Sequence, residues 1–120
     1  MSYVANNPRH WEGHSVGSGQ CVAYVQEASD APRTASWRRG ALVRGNNSIV
    51  PGTAIATFDQ DGTYGNHTDG RSHAAIYLRQ DADSITVLDQ WWGHHVSVRL
   101  IRFHAAPRSV NDGRNYYVVE

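Results

Sequence analysis

The sequence predicts an α+β fold, with N-terminal helices packed on an antiparallel sheet of about five strands. Three observations lead there. Apolar residues recur at three- and four-residue steps only in the first third of the chain, and strand-like alternation takes over from residue 53 onward. The links between the strand-like runs are too short for the crossovers that parallel strands need. Helical and extended patterns therefore come in blocks, which is the α+β order and not that of a doubly wound sheet.

Each element has its own warrant. The opening segment to Gly19 is rich in Asn, Pro, His, Gly and Ser and reads as irregular. A helix begins near Gln20, with Ser18 or Gly19 available as cap, and Val22, Val25 and Ala28 or Ser29 form its inward stripe. Asp30-Ala31-Pro32 ends it, because proline cannot continue a helix and disfavours helical geometry in the residue before it. A second short helix is expected over 35–44, with Trp37, Ala41 and Leu42 inward and Gly45-Asn46-Asn47-Ser48 as its stop. Strands follow over 53–58, 73–78, 85–91 and 96–103, and Tyr116-Tyr117-Val118-Val119 closes the sheet. The stretch from Asp59 to Ser72 is a long polar loop without periodicity.

Composition bounds the function. With 120 residues the chain fits one domain, 1–120, large enough to bury roughly two-thirds of its unfolded surface without disulfides or metals. Eleven basic and eleven acidic residues cancel, which argues against a nucleic-acid binder or a membrane-surface protein. All the cations are arginines, so Schiff-base lysine chemistry is excluded. A single cysteine permits neither an internal disulfide nor a Cys-rich zinc site, and no HExxH-like spacing suggests a metal, so no cofactor is expected. The N-terminus lacks the basic start and apolar stretch of a signal peptide, and no run is long enough for a membrane span. The expected place is the cytoplasm, unless a dedicated machine exports the protein.

The cysteine carries the sharpest hypothesis. Cys21 falls in the first turn of the first helix, where unpaired N–H groups and the helix dipole lower a thiol's pKa and stabilise an oxyanion. The competing reading is an inert buried cysteine. A thiol nucleophile needs a base, and His73 is the best placed of seven histidines, opening a strand after Gly70-Arg71-Ser72. His67, inside the long loop, is its rival. His10, His14, His94 and His95 read as solvated polar side chains. Asp89 is the candidate orienter: if the strands pair about a turn centred near Ala82, it lies opposite Ala75 on the face of His73. A slip of one residue would move it to the other face. Asp59, Asp61 and Asp69 are the loop alternatives.

Taken together, Gly19-Gln20-Cys21-Val22-Ala23-Tyr24-Val25 and Ser72-His73-Ala74-Ala75-Ile76-Tyr77-Leu78 resemble the Cys and His blocks of small papain-like amidases of the NlpC and CHAP groups. Pro51-Gly52-Thr53-Ala54-Ile55-Ala56 is similar to the strand these enzymes place before the histidine, and the order extends to Asp89. The resemblance implies a papain-like fold and hydrolysis of amide bonds, commonly in bacterial cell-wall peptides, with Cys21 as nucleophile, His73 as base and Asp89 as third member. The small size and lone domain are similar to type VI secretion amidase effectors, which implies injection into a rival's periplasm and an immunity protein in the producer. One departure concerns Gln20, adjacent to the cysteine where papain's oxyanion-hole glutamine stands several residues before it. The oxyanion role therefore falls to backbone N–H groups, chiefly that of Cys21.

The mechanism so implied is attack of the Cys21 thiolate on a murein stem-peptide or cross-link carbonyl, protonation of the leaving amine by His73, and hydrolysis of the thioester. Arg71 and Arg79 are candidates to receive stem-peptide carboxylates, and Trp91 and Trp92 candidates for a binding groove. Two other readings use the same residues: a protease or deamidase acting on proteins, and a non-catalytic module that binds through its aromatic C-terminal half.

Overall fold

Gln20 is extended (φ −81°, ψ 156°) and Cys21 is the first helical residue in the computed structural model, which describes residues 1–104 and 109–120. The helix, α1, runs Cys21–Ser29 and stops at Asp30, whose left-handed backbone (φ 60°) lets its N–H reach the Gln26 carbonyl just before Ala31-Pro32. Tyr24, Val25 and Ser29 are buried on its inner face, with Val22 and Ala28 packed beside them. Tyr24 lies outside the inward stripe expected from spacing. Its ring is buried and its hydroxyl donates to the Pro8 carbonyl at 2.8 Å, tying the irregular N-terminus to the helix.

The remaining elements are strands β1 (Arg39–Leu42), β2 (Ala54–Thr57), β3 (Ala74–Gln80), β4 (Ser84–Trp91), β5 (His94–Arg102) and β6 (Tyr116–Val119). Short 3-10 turns occur at Pro8–Trp11, Thr34–Ser36 and Gly113–Asn115. The strands form one six-stranded antiparallel sheet in the order β1-β6-β2-β3-β4-β5. The α+β expectation therefore holds, with one α-helix in place of two and six strands in place of about five among the described residues.

The helix expected over 35–44 is the main correction. Residues 34–36 make one 3-10 turn, and the chain then runs extended into β1, which pairs with β6. Over so few residues the spacing of Trp37, Ala41 and Leu42 fits either period. Tertiary partners decide the outcome. Trp37 is fully buried against Tyr64, its ring N–H donates to the Pro32 carbonyl, and Arg38 exchanges backbone hydrogen bonds with Glu120. Gly40 was a signal against the helix, since glycine is a poor helix residue; a side chain there would collide with the Val118 carbonyl.

Alternation on the central strands builds two apolar layers. Ala54, Ala56, Ala74, Ile76 and Leu88 join Tyr24, Val25 and Trp37 on one side, while Ile55, Ala75, Tyr77, Ile85, Val87, Ile101 and Tyr116 form the other. Strands buried on both faces read as continuous apolar runs, which is why β2 and β3 were legible. The alanines matter for position. Their small side chains let α1 lie close against the start of β3, and this brings the helix N-terminus to the residue that precedes that strand.

Candidate active site

Ile76 stands opposite Leu88 in the β3–β4 ladder, and the same register sets Ala75 opposite Asp89. A bulge between Tyr77 and Arg79 shifts the pairing further along, beyond the site. The assumed register therefore holds where it is needed. His73 Nε2 donates to Asp89 Oδ2 at 2.6 Å, with His73 almost buried and Asp89 fully so. That bond leaves Nδ1 as the ring nitrogen free to serve the thiol, and the Cys21 thiol and the His73 ring are close enough to shift each other's ionisation. The structure thus brings the three expected residues together, from the start of α1, the entry to β3 and the end of β4.

The electrostatics favour an ion pair. Burial pushes the Cys21 thiol up, but the His73 hydrogen bond and charge, the Ala74 amide and the Tyr64 hydroxyl together bring it below its ordinary value. Burial opposes the charged His73 ring, yet its bonds to Asp89 and Cys21 raise it to about 9. Asp89 is held ionised despite burial by His73 and by Arg99. A thiolate beside an imidazolium is the form such mutual shifts select.

Four groups went unnoticed in the sequence. Arg99 on β5 donates from Nη2 to Asp89 Oδ2 at 2.6 Å and from Nε at 3.0 Å, and its guanidinium lies 5.2 Å from the Trp91 ring centre. The strand pattern held a hint, because Ser97, Arg99 and Ile101 share the inward parity while Val98 and Leu100 are exposed. Tyr64, from the long loop, is buried and places its hydroxyl 3.9 Å from the Cys21 sulfur. Burial and the neighbouring Cys21 raise its pKa, so it remains a donor. The Ala74 N–H faces the same sulfur. Gln90, fully buried, accepts the Val16 N–H and donates to the Val16 and Gln20 carbonyls, which pins the turn ahead of Cys21 to β4. No periodicity argument could reveal those last contacts, since each joins residues far apart in the chain.

The alternatives fall elsewhere. His67 turns Nε2 to both Asp59 oxygens at 3.0 Å and accepts from Arg71 at Nδ1, so Asp59 orients His67 and not His73. Asp61 accepts from Thr63 and Asp69 from Arg71, both at the surface. His94 stacks on Trp91 at 4.1 Å. Arg79 is exposed beyond the bulge, opposite Thr86, and lies apart from the site. Trp92 is 74% exposed on the β4–β5 turn, with Gly19 beside its ring.

A family model described as domesticated amidase effector 2 matches residues 1–119. A type VI secretion amidase effector 2 protein of Salmonella typhi is 38% identical over 135 aligned residues, covering all of both chains. A solved structure of type 6 secretion amidase effector 2 superposes with a TM-score of 0.85 at 36% identity, over 98% of this chain and 94% of that one. The fold is thus α+β and papain-like, as the resemblance implied.

Proposed function

The chain belongs to the domesticated amidase effector 2 family, and from that premise we propose that Cys21, His73 and Asp89 are the residues with which it cuts. The chain is an amidase effector of the type VI secretion class that acts on peptidoglycan. Our reading adds a cysteine-hydrolase mechanism, with residues 1–120 working as one papain-like amidase domain. One observation carries it: His73 sits between a fully buried Asp89, 2.6 Å from Nε2, and a thiol at the first residue of a helix.

The chemistry follows from those positions. The Cys21 thiolate attacks the amide carbonyl, and the charge that develops on oxygen meets the Cys21 N–H, which has no acceptor within the helix. The Tyr64 hydroxyl, close to the sulfur and held protonated, is the second donor. His73 gives its proton to the leaving amine from Nδ1 while Nε2 stays on Asp89. Water then attacks the thioester, His73 takes up its proton, and the carboxylic acid product and free thiolate return the site to its starting state. Arg99 keeps Asp89 charged throughout.

The protein is delivered into target cells and is neutralised by an immunity protein in the producer. Among the described residues no helix is long and apolar enough to cross a membrane. Against the inert-cysteine reading stands the partial exposure of Cys21 beside His73. Digestion of purified sacculi, with identification of the released fragments, tests the whole reading. Cys21→Ala should release none, and full activity in that variant would end the proposal. Turnover of a folded protein and not of sacculi would favour the protease or deamidase alternative.

A further inference from the structure

A cavity of about 500 Å³, lined by no triad residue, opens at the end of β2 around Thr57 and Phe58, and no catalytic step uses it. Arg39 of β1 and Arg71 of the 59–72 loop bring two guanidinium groups to it, with the rings of Phe58 and Tyr117 as apolar walls. Its one acid, Asp59, turns both carboxylate oxygens to the His67 ring. Arg71 is partly engaged, by Asp69 and by His67 Nδ1. Arg39 is not: its ring contact is with Tyr117, at 5.4 Å, and its hydrogen bond is a long one to the Asp59 carbonyl, 3.4 Å. Among the described residues no carboxylate pairs with it.

We infer that this cavity is a substrate subsite which takes a free carboxylate of the murein stem peptide, with Arg39 as its principal ligand. The inference rests on the amidase reading and names what selects the peptide. An arginine fork is built for a planar carboxylate, and a guanidinium already lying on an aromatic face is pre-oriented to receive one. The cavity also shares a wall with the chemistry. Phe58 packs edge-on against Tyr64 at 6.4 Å, and the Tyr64 hydroxyl is 3.9 Å from the Cys21 sulfur. Thr57, at the cavity's edge, accepts the His73 N–H on Oγ1 at 3.0 Å. A carboxylate seated on Arg39 would therefore set which amide reaches the thiolate.

The test measures binding, free of turnover, on the Cys21→Ala protein by calorimetry. The probes are a soluble stem peptide with its carboxylates free and the same peptide with them amidated. The free acid should bind several-fold more tightly. Arg39→Gln should erase that preference, Arg39→Lys should restore part of it, and Arg79→Gln, outside the cavity, should leave it intact. Arg39 is exposed, so an unchanged melting temperature is expected for each variant. Equal binding of the two peptides, or a preference that survives Arg39→Gln, overturns the inference. Sacculus digestion by the unsubstituted chain runs in parallel. Fragment release without carboxylate preference removes the subsite and leaves the amidase reading standing. An Arg39-dependent preference without fragment release supports the carboxylate site and removes the amidase reading.

Discussion

At Cys21 two opposing effects meet, and the balance is measurable. Burial alone would raise the thiol, while His73, the Ala74 amide and Tyr64 lower it below its usual value. His73→Ala removes the two largest lowering effects and leaves the burial. The rate of Cys21 alkylation by iodoacetamide should then fall at pH 7, with its midpoint moved to more alkaline pH; an unchanged profile would mean that the imidazole does not ionise the sulfur. In the intact protein the ion pair persists up to about pH 9, where His73 loses its proton. Turnover should accordingly decline above that pH and on the acid side where the thiolate is protonated. Asp89 is supported from two sides. Asp89→Asn should slow turnover less than His73→Ala does, because the orienter acts through the base. Arg99→Met leaves the buried carboxylate with one fewer charged partner, which should cost about 2–4 kcal/mol, read as a lowered melting temperature.

Among the elements, the 59–72 loop holds the clearest lesson. It lacks any regular period, yet it delivers Tyr64 to the sulfur and Arg71 to the cavity. What orders it is a rail of polar contacts, Asp59 to His67 to Arg71 to Asp69. Gly65 lies where a methyl group would collide with the Asp59 carboxylate and the His67 ring. Gly65→Ala should therefore loosen the loop, and protease nicking within 59–72 together with slower turnover would show it. The turn before α1 depends in the same way on Gln90. Gln90→Leu removes three hydrogen bonds and leaves the part-buried Val16 N–H without its acceptor, while the Val16 and Gln20 carbonyls keep the Gly19 and Ala23 amides, at a cost of about 1–3 kcal/mol. A melting temperature unchanged by that substitution would contradict the role given to the side chain.

For the whole molecule, the sheet order sets what depends on what. The last strand, β6, lies between β1 and β2, so the C-terminus joins the edge that carries Arg39 to the strand that leads toward His73. Glu120 reinforces the closure by exchanging backbone bonds with Arg38 and by pairing with the amino terminus at 2.6 Å. Removing residues 116–120 deletes one central strand and, among the described residues, the only ladder of β1. The truncated chain should lose cooperative thermal unfolding, and a retained sharp transition would show that the sheet tolerates the gap. Such long-range pairing also explains why the edge region was misread. The segment 35–44 carries little preference of its own, and its strand partner lies some 75 residues away.

Local chemistry was enough for much of this protein. A cysteine after Gly-Gln marks a helix start, and a histidine at a strand's opening shares a hairpin register with an aspartate on the next strand, so the pairing of His73 with Asp89 was legible along with the α+β order. Continuous apolar runs marked the central strands because these are buried on both faces. Only the tertiary structure placed Arg99 on Asp89, Tyr64 by the sulfur, Gln90 under the turn and Arg39 at the cavity. Those contacts join residues through packing and closure of the sheet, and periodicity carries no information about which distant side chains will meet.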